Sequence, residues 1–440
     1  MSRVSRVIDR IEVSFDDETL VADAGLIVPA TLMGRLGIES LADGAVRLGS
    51  VGGARPGRKV LTLIASILAG GSHIEHADKL RAGATGEVLP FRVMAPSTLG
   101  TFLRAFTFGH VRQLDAVIAE TIGRAWSLGA GPESKAMTID LDSTICQVHG
   151  HHKHGAAYGY TRVLGYHPLL ATRADTGEVL HARLRKGSSQ RGVKRFTEEL
   201  IARVRRAGAT GALTVRADAG FWNYALIDTL VRLGVRWSVT VRINPSIRRA
   251  IDAIAESAWT TITYPDGGEA QVAETIYVTG HGRYQRELRL VVRRTRLTEA
   301  AQRRLWPDWR HHAFITNVEL PTVEVDRFHR DHATVELAIR DLKEGAGLEH
   351  CPSGRFFANA AWLGCAVMAH NIIRWTARLG DVHPAQQLTV MRTVRAQLLQ
   401  LPARLVNRSR QWVLRLPARW PWATTFNTAL GRIRSLPMLT

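Results

Sequence analysis

Residues 136–243 alternate between the two hydrophobic periods that separate strands from helices, and this alternation constrains the fold more than any other feature of the chain. AMTIDLDST (136–144), YHPLLATR (166–173) and GEVLHARLR (177–185) carry strand patterning, the last two divided by the turn-forming ADTGE. A helix fits 192–207, LTVRAD (213–218) reads as a fourth strand, a helix follows over 221–233, and VRWSVTVRI (235–243) is a fifth strand. The order β-β-β-α-β-α-β, three meandering strands followed by helix alternation, predicts an α/β fold with a mixed sheet and helices on both faces.

The flanks differ from this core. Residues 1–112 read as mainly helical, with a buried apolar helix over 59–69 behind the loop GGARPGR. After Pro96, Ser97 can cap a helix that carries Leu99, Phe102, Leu103 and Phe106 on one face. Two short helices around a turn fit a DNA-binding helix-turn-helix and equally a small helical bundle. From 244 to 320 come short β-like pieces (WTTITY, AQVAETIYVT, RELRLVVRRT, HHAFITNV), which read as a β-rich insertion. Helices dominate 326–380, and 381–440 holds nine arginines against the single acid Asp381, together with Trp412, Trp420 and Trp422.

Charge narrows the partner. Lysine plus arginine number 58 against 39 acids, a net +19, and with seven lysines the excess is almost all arginine. Such a surface expects a polyanion, nucleic acid first and acidic membrane second. GC-rich codon usage accounts for part of the arginine bias, though not for the net charge. The start MSRVSRVIDRIEVSF has no apolar core, and VLTLIASILAGG and AAWLGCAVMAH fall short of the ~20 residues a membrane span needs. No membrane association is expected, and a cytoplasmic location is expected. Cys146, Cys351 and Cys365 lack paired spacing, which argues against a disulfide framework or zinc knuckle. GGARPGRK lacks the Ser or Thr of a P-loop, so no nucleotide cofactor is expected. HGHHKHG (149–155) reads as a polar loop near DNA rather than a metal tract, and with Tyr284 the last tyrosine, a C-terminal tyrosine nucleophile does not fit.

Three constellations carry chemistry. In TIDLDST, Asp140 and Asp142 share one face of a strand, an expensive arrangement in mid-sheet unless they bind something, though an exposed edge strand would also tolerate it. In RADAGF, Asp218 ends an apolar strand where ligand sites form, or simply caps the next helix. In HRDHATVELAIRDLKEG (329–345), Glu336 and Lys343 share a helix face, with His329 and His332 beside it, which fits a metal ligand flanked by phosphate-binding cations or a solvated charged face. Hard carboxylate oxygens of this kind bind Mg²⁺ or Mn²⁺.

Together these segments resemble the three motifs of DDE insertion-sequence transposases with an RNase H-like core, over roughly 130–380. The last motif, H-x2-H-x3-E-x6-K, matches the branch whose signature is Tyr-x2-Arg-x3-Glu-x6-Lys, with His329 in place of the tyrosine and His332 in place of the arginine. The resemblance implies a catalytic triad of Asp142, Asp218 and Glu336, Asp142 being preferred because Ser143 and Thr144 follow it. Asp140 is a further candidate metal ligand, and two divalent ions per site are implied. His329, His332, Lys343, Arg330 and Arg340 would contact DNA, and Trp259, Trp306 and Trp309 are candidates to stack on a flipped base.

The expected organisation is then a helical DNA-binding domain (1–112), a first part of the RNase H-like core (113–243), the β-rich insertion (244–320), a second core part with the glutamate helix (321–380) and a basic C-terminal segment (381–440). The implied activity is cut-and-paste transposition of a bacterial mobile element, with hairpin ends as in that branch, acting on double-stranded element ends and target DNA as a nucleoid-associated homodimer. A metal nuclease or resolvase that cuts without joining, and an inactive DNA-binding derivative, are the alternatives.

Overall fold

A computed structural model of the chain describes residues 11–49, 52–150, 152–159, 162–186, 192–264, 268–279, 285–296, 309–383 and 388–439. The amino-terminal part contains β1 (Leu20–Val21), then α1 (Ile27–Arg35), α2 (Ile38–Ala45), α3 (Pro56–Leu68), α4 (Pro96–Arg104) and α5 (Phe108–Ala125). α3 fulfils the apolar-helix expectation. The loop before it is held by its own lysine: Lys59 Nζ donates to the carbonyls of Gly52 and Ala54, so this lysine is occupied by backbone. α4 starts two residues earlier than expected, with Pro96 in its first turn and Ala95 rather than Ser97 at the cap position, because proline's fixed φ suits that turn.

The expected strands and helices of 136–243 form as β2 (Met137–Ser143), β6 (Leu169–Arg173), β7 (Val179–Arg183), α6 (Val193–Arg206), β8 (Leu213–Ala217), α7 (Tyr224–Arg232) and β9 (Arg236–Val241), joined by three short strands that were not expected, β3 (Cys146–Gln147), β4 (Ala157–Tyr158) and β5 (Leu164–Tyr166). β7, β6 and β2 form an antiparallel meander, and β8 and β9 follow parallel to β2. β2 is therefore central, and its apolar Ile139 and Leu141 are fully buried.

After α8 (Pro245–Asp252) come β10 (Thr260–Ile262), β11 (Glu269–Thr279), β12 (Arg286–Arg296) and β13 (Arg310–Thr316). The β-rich insertion extends the same sheet: β13 pairs antiparallel with β9, giving the order β10-β11-β12-β13-β9-β8-β2-β6-β7. Long strands make this extension, β12 and β13 each carrying a continuous buried run, and it keeps a small apolar cluster of its own around Val272, Val291, Phe314 and Val325.

The carboxyl-terminal part contains α9 (Thr322–Arg330), α10 (Val335–Arg340), α11 (Phe356–Leu379), α12 (Met391–Val394), β14 (Ala403–Arg408), β15 (Gln411–Arg415) and α13 (Ala423–Ser435). α11 is the central beam. It packs against α1, α3, α4, α5, α13 and β7, and it is buried along almost its whole length, which explains its apolar composition. Among the described residues it is the single unbroken helix long and apolar enough to cross a bilayer, and 94% of its most apolar stretch lies inside the protein. Helices from both ends of the chain therefore share the main hydrophobic core with the sheet.

Candidate active site

β2 and β8 are parallel neighbours, so their carboxyl ends open on the same edge of the sheet. Asp142 stands near the end of β2, and Asp218 immediately follows β8. Asp218 is exposed and also caps the short 3₁₀ turn Ala219–Phe221, its Oδ1 accepting from Gly220 N at 3.0 Å. The capping reading of this residue therefore holds.

Glu336 comes from the helical segment after β13. The expected continuous helix over 329–345 is broken: α9 ends at Arg330, residues 331–334 tighten into a 3₁₀ turn, α10 follows, and Asp341–Gly345 widen into a π turn. π turns are frequent at functional sites. Glu336 and Lys343 nevertheless line one cleft of about 270 Å³, together with Asp142, Ser143, Thr144, Ile339, Arg340, Glu344 and Glu349.

Electrostatics tie the three acids together. Burial, opposed by the Ser143 N–H at 2.6 Å and by nearby His332, and reinforced by the charges of Asp218 and Glu336, pushes the Asp142 carboxyl up to about 6. None of Asp142, Asp218 and Glu336 makes an ion pair with a described residue. The site is therefore an acidic cleft with its charges unanswered and with Lys343 and Arg340 on its rim.

Asp140 has a different setting. It is fully buried, and in the parallel register it stands directly beside Arg216. Arg216 donates Nε to Oδ1 at 2.8 Å and Nη2 to Oδ2 at 2.9 Å, and His332 Nδ1 donates to Oδ1 at 2.8 Å. Arg216 also reaches the Phe328 carbonyl and lies over the Phe328 ring. Both oxygens of Asp140 are thus engaged inside the protein. Sequence reasoning missed Arg216, although it lies two residues before Asp218 and so shares that residue's face of the strand.

His329 lies where no phosphate reaches without breaking a bond. Its ring is stacked on Phe314 at 4.0 Å, with Nδ1 bonded to Ser238 Oγ at 2.8 Å and Nε2 to Thr240 Oγ1 at 2.9 Å. Burial, with the positive charges around it, holds it well below the usual histidine range, so it is neutral. The 3₁₀ tightening at 331–334 accounts for this: the segment does not keep the regular helical turn that would have set His329 beside Glu336.

Arg330 is half-buried and donates to Asp326 at 2.9 Å, an acid it shares with Arg293. Arg294 lies over Trp259 at 4.2 Å and over Trp309 at 4.5 Å, and Arg296 lies over Trp309 at 4.3 Å. Trp306 lies outside the described residues.

A second cluster offers metal-ligand geometry. Among the described residues, Asp115, His181 and Glu199 bring three ligand atoms within 4.8 Å of one another, closer than Asp142, Asp218 and Glu336. Its charge is answered from within, however. Arg203 meets Asp115 at 2.7 Å, Arg112 and Arg195 each meet Glu199 at 2.9 Å, Arg183 also pairs with Glu199, and His181 stacks on Phe196. Burial opposes ionisation of Asp115 and Glu199, but the hydrogen bond from His181 and the arginines outweigh it and hold both carboxyls well below the usual range. Strong bidentate-capable cations around two acids leave no net charge for a metal ion.

Carboxylates at the ends of central strands, opposite a helix-borne glutamate and beside Lys343 and Arg340, are an arrangement suited to metal-assisted phosphoryl transfer on polyanions. The family described as Transposase DDE domain group 1 matches residues 5–438, and the chain belongs to that family. It is a DDE transposase, an enzyme of DNA strand cleavage and strand transfer. A solved structure titled as a cryo-EM structure of the piggyBac transposase synaptic complex with hairpin DNA aligns with a TM-score of 0.46 at 13% identity, over 86% of this chain and 80% of that one. That likeness is too distant to carry residue roles across. No curated protein matches the sequence.

Proposed function

We propose that this transposase moves its element by cut-and-paste on an RNase H-like core, with Asp142, Asp218 and Glu336 as the catalytic triad. The observation that carries the reading is the half-buried Asp142 carboxyl, raised to about 6 with the charges of Asp218 and Glu336 pressing on it, and no cation among the described residues ion-paired to any of the three. The antiparallel meander β7-β6-β2 continued by parallel β8 and β9 supports the core assignment.

The donor set fits two Mg²⁺ or Mn²⁺ ions: oxygen ligands, net negative charge and access from a cleft. Such ions supply Lewis acidity, favouring ionisation of the attacking water or 3′ hydroxyl and neutralising the leaving oxygen. The chain's own residues do the rest. Lys343 and Arg340 bind the scissile strand's phosphates from the rim. His332, held through Nδ1 by Asp140, turns its other nitrogen to a phosphate oxygen. The Asp140–Arg216 pair is a support beneath that histidine rather than a metal ligand, and His329 is a packing residue.

Hairpin ends require a flipped base with an aromatic partner. Trp259 and Trp309 are suited to this because Arg294 and Arg296 beside them can hold the adjoining backbone. The helices of 1–112 bind element ends, two protomers synapse them, and the protein acts on the nucleoid of a bacterial cytoplasm.

A strand-transfer assay with duplexes carrying the inverted repeats that flank the reading frame tests this. Wild-type protein with Mg²⁺ is expected to cut and join, and Asp218→Ala to do neither while still binding the ends. Joining by Asp218→Ala would overturn the triad, and hydrolysis without joining by wild type would favour a nuclease.

A further inference from the structure

The carboxyl-terminal hairpin carries cations that the cleft does not use. We propose that β14–β15 is a second docking surface for duplex DNA, placed on the backbone away from the cleaved bond. The identity of the partner rests on the transposase reading. The location rests on the hairpin itself.

In the register of the two strands, Arg404 faces Arg415, Val406 faces Val413 and Arg408 faces Gln411 on one side of the ribbon. Leu405 faces Leu414 and Asn407 faces Trp412 on the other. The second side is covered only at its base, where Leu405 is buried and Leu414 half-buried beside Phe426 and Leu430 of α13, while Asn407 and Trp412 nearer the turn are exposed. Period-2 alternation then turns the arginine side to solvent. Arg404, Arg408 and Arg415 are exposed, and Arg410 stands in the two-residue turn.

Two features of this side are unfavourable without an anion. Arg404 directly opposite Arg415 is a like-charge pair. Asp17 relieves Arg404 alone, at 2.8 Å and at the end away from the turn. Arg408, Arg410 and Arg415 make no ion pair with a described residue. The turn adds strain: Ser409 and Arg410 have φ of 52° and 66°, a left-handed pair that favours glycine or asparagine. An arginine kept there is held in a costly backbone with its charge projecting from the tip. A narrow antiparallel ribbon with arginines along one face and at its tip matches the dimensions and charge of a DNA groove bordered by phosphates. No acid lies between residues 388 and 439 to oppose it.

The test uses the full chain, a labelled 40-base-pair duplex and EDTA, so that cleavage plays no part. Binding is measured against salt for wild type, Arg410→Gly and the triple variant Arg408→Ala/Arg410→Ala/Arg415→Ala. Each lost phosphate contact lowers the log–log salt slope by about 1, so the triple variant is expected to show a slope shallower by about 3 and affinity down at least about tenfold near physiological salt. Arg410→Gly guards against misfolding: it relaxes the turn, so its thermal midpoint should hold or rise while its slope falls by about 1. A triple variant with wild-type slope and affinity overturns the proposal. So does a ribbon that serves self-association, seen as Trp412→Ala dissociating a dimer while the triple variant binds duplex normally. Wild type that binds no duplex at all would sink the transposase reading along with the ribbon.

Discussion

In the cluster of Asp115, His181 and Glu199 every carboxylate is met by arginine, whereas in the cluster of Asp142, Asp218 and Glu336 none forms an ion pair with a described residue. The first has the tighter geometry, with ligand atoms within 4.8 Å. Geometry alone would have chosen it as the metal site. Charge balance favours the other, the site proposed above. Arginines at 2.7–2.9 Å turn acids into cement between α5, α6 and β7, and they depress the carboxyl ionisations. Unanswered acids raise one another instead, as Asp142 shows, and wait for a cation from solution.

The strongest way to break this comparison is neutralisation. Asp142→Asn, Asp218→Asn or Glu336→Gln should each lower metal-dependent cleavage by about 10³-fold or more with folding intact, measured in single-turnover assays beside thermal melts. Asp115→Asn should do the reverse. Removing one partner of its buried pair with Arg203 is expected to cost about 3 kcal/mol, a fall in thermal midpoint on the order of 5 °C, while the folded fraction still cleaves.

Opposite pH behaviour sharpens the contrast further. Without divalent ions, Asp142 keeps its proton to about pH 6 when folded but only to about its ordinary value of 3.8 when unfolded. Its ionisation therefore costs stability as pH rises through that interval, and Asp142→Asn should gain on wild type from pH 4 to 7. Asp115 is depressed, so its contribution is present above 3.8 and lost as pH falls below it. The deficit of Asp115→Asn should accordingly be full at pH 7 and shrink below pH 4. Denaturant melts across pH read both. The smallest expected effect is at the rim, where Lys343→Ala should weaken DNA binding by about tenfold and lower the salt slope by about 1.

Much of this was legible in the sequence, for a physical reason. Strand alternation and the turns around it are local, so β2, β6–β9 and their helices could be read, along with the two aspartates at strand ends. The Asp140–Arg216 pair was not legible, because it depends on a parallel register between strands separated by more than 70 residues. The role of His329 was hidden by a departure from regular helix at 331–334, which rotated it onto Ser238 and Thr240. The insertion's strands were expected, but their pairing to β9 through β13 is a long-range contact that no local pattern encodes. The C-terminal arginines were counted, yet only the cross-strand register revealed which of them share a face.

Manganese binding tests the central claim most directly. Mn²⁺ titration of wild type, Glu336→Gln and Glu199→Gln, followed by electron paramagnetic resonance at pH 7.5, should show binding in wild type and Glu199→Gln and its loss in Glu336→Gln. Binding that survives Glu336→Gln and disappears in Glu199→Gln would contradict the account, and would move the metal to the arginine-bound cluster.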